Sequence, residues 1–111
     1  MTLRQLGNAQ WQTYFDRVAA ALGAKQVEIE VAGLGLGDQV EADWIPLIGL
    51  SYDPAGDSVA VIGEGVEHFI RHPKHIHVEH DTESLRSVEV IDAEDVHHFV
   101  LLRDPLSLPA P

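Results

Sequence analysis

Cysteine is absent from these 111 residues. Disulfides, thiolate nucleophiles and cysteine-based zinc sites are therefore excluded. Basic residues are scarce. Seven lysines and arginines stand against eighteen acidic residues, a formal charge of −11. A field of that sign repels nucleic acid and anionic membrane surfaces, so neither is an expected partner. No apolar run approaches the ~20 residues of a membrane span, and no signal-peptide pattern opens the chain, so the expected location is the cytoplasm. No serine stands in a Gly-x-Ser-x-Gly elbow. Gly33, Gly35 and Gly37 lack the spacing of a dinucleotide fingerprint and no helical pattern follows them. They read as a strand-to-strand connection.

What is present is a well-patterned small domain. The longest apolar run, Trp44 to Asp53, lies near the middle. A run this apolar has no polar face to give to water, so it reads as an inner strand. Pro46 cannot donate to a ladder and marks a break. The buried strand then runs from Leu47 to Tyr52, with Ile48, Leu50 and Tyr52 on one face and Leu47, Gly49 and Ser51 on the other. Ahead of it, Trp11, Tyr14, Phe15, Val18, Ala19 and Leu22 recur at helical spacing. Asn8 is the expected N-cap and Gly23 the expected residue after the C-cap. Residues 1–7 read as a flexible lead-in.

Lys25 to Ala32 alternates, with Val27, Ile29 and Val31 on one side and Gln26, Glu28 and Glu30 on the other. Asp53 to Asp57 has the chemistry of a turn, and Ser58 to Ile62 reads as its return strand. Residues 66–70 fit either a helical turn or a short strand. His72 precedes proline and is expected to be extended. Further strands follow at Lys74–His80, Leu85–Ile91 and Val96–Leu102, then a proline-rich tail over 105–111. Short connections favour antiparallel neighbours. The expected fold is α+β: residues 8–104 as a single domain, with one N-terminal amphipathic helix packed on a curved antiparallel β-meander or partly closed small barrel of about seven short strands.

All seven histidines fall between His68 and His98. On one strand His75, His77 and Glu79 alternate onto one face, opposite Ile76 and Val78. Two imidazoles and a carboxylate suit a first-row divalent transition metal, and His97 or His98 would add a third imidazole if the sheet brought it near. The same spacing also describes histidines that merely face water. No catalytic constellation can be assembled from the remaining residues. The expectation is a non-enzymatic domain without a cofactor, acting through a homodimer or a protein partner; the alternative is metal or small-ligand binding at His75, His77 and Glu79.

Several phrases together resemble a family of small bacterial proteins catalogued only as a domain of unknown function. They are Trp11 to Asp16, Val27 to Leu34, Gly37 to Ala42, Trp44 to Pro54, Ile70 to Pro73, Val88 to Ala93 and Leu102 to Leu106. The resemblance covers nearly the whole chain and implies a free-standing bacterial domain with no activity assigned. It also implies a glycine in the turn that here holds Glu94 and Asp95, and fewer histidines around Ile76.

Overall fold

Strands whose apolar residues alternate with polar ones can line only one face of a sheet, and here that face is roofed by a single helix. The computed structural model describes residues 2–21, 23–33, 37–81 and 84–104. Their elements are β1 (Thr2–Leu6), a 3-10 turn at Asn8–Gln10, α1 (Trp11–Ala21), β2 (Gln26–Gly33), β3 (Gly37–Asp53), β4 (Ser58–Gly63), β5 (Val66–Arg71), β6 (Pro73–His80), β7 (Leu85–Asp92) and β8 (His97–Arg103). Leu22, the middle of the glycine turn at 34–36 and the 105–111 tail lie outside the described residues.

The eight strands form one open antiparallel sheet in the order β1-β6-β7-β8-β2-β3-β4-β5. Two meanders, β2 to β5 and β6 to β8, are joined where β8 pairs with β2. The core lies on the face covered by α1. Val27, Ile29, Val59, Val61, Ile76, Val78, Val90 and Val100 are fully buried there, together with Phe15 of the helix. At about 1.5–3 kcal/mol for each buried branched side chain, this layer is the main favourable term of folding. The helix spans the sheet. Trp11 packs edge-on against Tyr52 of β3 at 5.2 Å, and the Tyr14 hydroxyl lies 2.6 Å from His80 Nε2 on β6.

Several expectations need correction. Residues 2–6 are not a loose lead-in. They pair with β6 from Thr2 opposite His80 to Leu6 opposite Ile76, and Leu6 is buried at the core edge. The N-cap is Gly7 of the 3-10 turn and not Asn8: its carbonyl accepts from the Gln10 amide at 2.9 Å, and its own amide donates to Gln10 Oε1 at 3.2 Å. Gly23 does take the left-handed conformation expected after a helix (φ 64°). Ala19, assigned to the apolar stripe, is exposed.

The central run is not broken at Pro46 but is the second half of β3, one strand of 17 residues. It bends at Trp44 (φ 53°), whose ring is covered by the Arg103 guanidinium at 4.1 Å. It then changes partner at Pro46. Residues up to Pro46 pair with β2, and Leu47 onward pairs with β4. The proline therefore stands where a ladder donor is least needed. Nor is the run buried on both faces. Leu47 opposes Gly63 and Gly49 opposes Ile62, so Ile48 is an extra residue in a bulge. The bulge shifts the phase. Leu47, Leu50 and Tyr52 face the core, and Ile48 is 68% exposed.

The turn at 53–57 forms as expected, with Asp53 Oδ1 accepting from the Ala55 amide at 3.0 Å. The positive φ falls on Asp57 (48°) and not on Gly56. Asp57 also accepts the Tyr52 hydroxyl at 2.7 Å, and that bond is the main reason the phenol is pushed up to about 12. In a Tyr14→Phe background, Asp57→Ala is expected to bring the Tyr52 phenolate midpoint down toward the ordinary value of 10.0, read by ultraviolet absorbance titration. An unmoved midpoint would mean the bond is not made in solution. His72 is not extended but left-handed (φ 54°). The strain is offset by three contacts. Its amide donates to Asp57 O at 2.8 Å, its carbonyl accepts from the Ala93 amide at 2.9 Å, and its ring meets Asp57 Oδ2 at 3.2 Å.

Candidate functional site

The sheet divides the histidines between its two faces. On the outer face of β6, His75, His77 and Glu79 alternate as expected, with Ile76 and Val78 pointing into the core. Neighbouring strands add to them. Gln5 Nε2 on β1 lies 3.1 Å from His75 Nδ1. Glu89 on β7 stands between two rings, 3.5 Å from His77 Nδ1 and 3.1 Å from His97 Nδ1 on β8. The carboxylate beside His77 is thus Glu89, while Glu79 lies opposite Leu3 and Ser87. The His77 nitrogen is shielded from water and makes no hydrogen bond, since 3.5 Å is too long for one. Among the described residues no three histidine, aspartate or glutamate side chains converge tightly enough to hold a metal ion.

The second group lies on the inner face, and sequence patterning did not single it out. His98 shares the core side of β8 with Val100 and Leu102, so it has no place beside His75 and His77. His68 shares the core side of β5 with Ile70, in the row that holds Leu50 and Val61. The sheet curls until β5 reaches β8, and there His68 Nε2 lies 3.0 Å from His98 Nδ1. His98 Nε2 lies 3.0 Å from Asp92 Oδ2 at the end of β7. The other oxygen of Asp92 accepts from the amides of Glu94 (2.9 Å) and Val96 (3.1 Å). The turn that follows carries Asp95 at φ 63°, the position where the family resemblance implies glycine.

Hydrogen-bond logic assigns the protons in this chain. The Asp92 carboxylate can only accept, so His98 Nε2–H donates to it. Neutral His98 then offers Nδ1 as an acceptor, and His68 Nε2–H donates to it. Burial alone would raise the Asp92 pKa, but the His98 bond and the Val96 and Glu94 amides outweigh it and hold the carboxyl below its ordinary range. For His68, burial is the largest influence and pushes the imidazole below its ordinary value. Protonation of the nearby His98 acts the same way, and Glu41 opposes both. The detectable signal in the sequence was phase. His68 and His98 each occupy the apolar register of their strand, where a histidine must find a partner.

Each remaining histidine also has a neighbour: His72 has Asp57, His75 has Gln5, His80 has Tyr14, and His77 and His97 share Glu89. Solvated rings on the polar side describe His72, His75 and His97, which stay open to water, and do not describe His68 and His98. Among the described residues, no helix is long and apolar enough to cross a membrane.

Fold and site together define a class: a one-helix α+β domain on an open, curled antiparallel sheet, with an aspartate–histidine–histidine chain where the curl brings its strands together. The chain belongs to a family of unknown function, DUF5335, whose pattern it matches over residues 2–111. It is 36% identical over 110 residues to an uncharacterised protein of Aquifex aeolicus (strain VF5), a match covering 98% of this chain and 99% of that relative. No solved structure matches it.

Proposed function

We propose that this domain acts by association, pairing with a second copy of itself along β5. The observation that carries the reading is an apolar strip on the outer face of β3, β4 and β5. Register places Ser51, Ala60 and Phe69 in one row and Gly49, Ile62 and Glu67 in the next. Ile48 bulges out beside them at 68% exposure, and Phe69 is 53% exposed. In a chain of charge −11, a mostly apolar strip with Glu67 at its margin is the surface best suited to contact protein.

β5 is also the last strand of the sheet, so its second edge has no strand partner among the described residues. Its sequence suits pairing with itself. An antiparallel two-fold pair centred on Phe69 sets Phe69 against Phe69 and Glu67 of each copy opposite Arg71 of the other. That arrangement places opposite charges across the interface at both ends of the strand.

The test is the oligomeric state by light scattering and sedimentation. The native chain is expected to dimerise at micromolar concentration, and Phe69→Asp to be monomeric with stability changed by no more than about 0.5 kcal/mol. Arg71→Glu alone should weaken the dimer, and adding Glu67→Arg should restore it. A strictly monomeric native chain that captures no partner would defeat the proposal.

A divalent transition metal or small ligand on His75, His77 and Glu79 is the competing reading, supported by their shared face. Metal analysis of untagged protein separates the two. Stoichiometric zinc, nickel, copper or iron, with thermal stability lost on chelation, would put metal binding in place of association.

A further inference from the structure

We infer that the His68–His98 contact is a proton-operated latch: it ties β5 to β8 when the pair holds no more than one extra proton, and it releases β5 when both rings are charged. The geometry gives the reason. β5 and β8 are not neighbours in the sheet, and no ladder joins them. Toward the end of β5, the strand is tied to the other meander by the His72 carbonyl accepting from the Ala93 amide. Along its length the hydrogen bond to that meander is the 3.0 Å nitrogen–nitrogen contact between the rings, beside the core packing of Ile70.

Such a bond needs one N–H and one lone pair. With both rings neutral, His68 donates and His98 accepts. A first proton placed on His98 keeps the bond and reverses its direction, because His98 then donates from both nitrogens, to Asp92 and to His68. A second proton leaves N–H facing N–H between two cations 3.0 Å apart. No arrangement of protons then preserves the contact, and like charges at that distance repel strongly in a partly buried setting.

The groups facing His68 from other elements are His98 on β8, Asp92 beyond it at the end of β7, and Glu41 on β3. Asp92 engages His98 and not His68, so a charge on His68 is offset in part by Glu41 while burial and a charged His98 oppose it. The lowered His68 pKa agrees in sign. A base whose pKa is lower folded than unfolded contributes stability that is complete above the unfolded value of 6.5 and is lost as pH falls through the folded one. The latch therefore opens on the acid side of the ordinary imidazole range.

For assembly, the inference rests on the dimer reading, because β5 carries Phe69. Releasing β5 dissolves the strip that Phe69 shares with Ala60 and Ile62. Acid should then weaken the dimer on the order of tenfold for each unit of linked shift. General charge effects predict the reverse, since protonating all seven histidines takes the formal charge from −11 to −4 and reduces repulsion between copies.

The decisive measurement is amide hydrogen exchange, corrected for intrinsic rates, in the monomeric Phe69→Asp chain at about pH 7.5 and about pH 5. Val66 to Arg71 should lose protection in acid while Val27 to Val31 keep it. His68→Gln supplies an amide donor that cannot charge, and it should hold β5 closed at both pH values. Should that variant fold poorly, His98→Gln serves as the second test with the same expectation. β5 protection that does not change with pH, or that falls equally in the glutamine variant, overturns the latch. If the native chain is monomeric and β5 still opens in acid, the latch stands and only the dimer reading falls.

Discussion

Trp11→Ala is expected to lower the unfolding free energy by about 3–5 kcal/mol, the range for deleting a large buried aromatic. The indole is 3% exposed and is held from two sides. Its edge-on contact with Tyr52 at 5.2 Å joins α1 to β3, and its Nε1–H donates to Leu6 O at 3.4 Å, joining α1 to β1. An 11-residue helix has little stability of its own in water, so docking is what keeps it formed. Against the roughly 5–15 kcal/mol available to a small domain, the loss should bring many molecules close to unfolding at 37 °C. Urea denaturation followed by circular dichroism measures it. A change below about 1 kcal/mol would show that the helix does not roof the sheet.

Leu50→Ala and Ile48→Ala should differ sharply, although strict alternation puts the two residues on one face. Leu50 is 3% exposed in the layer formed with Val61, and truncating it should cost about 2–5 kcal/mol. Ile48 is 68% exposed in the bulge, and its truncation should stay within about 0.5 kcal/mol. The contrast tests the bulge itself. Equal costs would mean that the ladder runs regularly from Leu47 and that Ile48 also points inward. The same pair bears on assembly, because Ile48→Ala should weaken the proposed dimer without unfolding the monomer, and Leu50→Ala should do the opposite.

Both predictions mark how far patterning reaches. Val27, Ile29 and Val31 on β2, Ile76 and Val78 on β6, and the stripe of Trp11, Tyr14 and Phe15 were all legible, because alternation and helical spacing report which side of an element is dry. An antiparallel sheet with one helix followed from those elements and their short connections, while the choice between a curved meander and a partly closed barrel did not. β1 was not legible, because only Leu6 anchors it to the core and most of its other support is backbone pairing. The phase of β3 was lost to a single extra residue, since a one-residue slip moves every following side chain to the other face.

The histidines divide along the same line. The shared outer face of His75, His77 and Glu79 is a property of one strand, and the strand's own period places it. That Glu89 stands between His77 and His97 depends on register across three strands. The Asp92–His98–His68 chain depends on more: a sheet that curls far enough for β5 to meet β8, thirty positions away in sequence. Composition and local period by themselves determined a small acidic domain, its helix, most of its strands and most of their dry faces, because those follow from interactions between near neighbours. Only the tertiary structure decided which ionisable groups were taken inside and which partners they met, because the curl brings together strands far apart in sequence and no short segment encodes it.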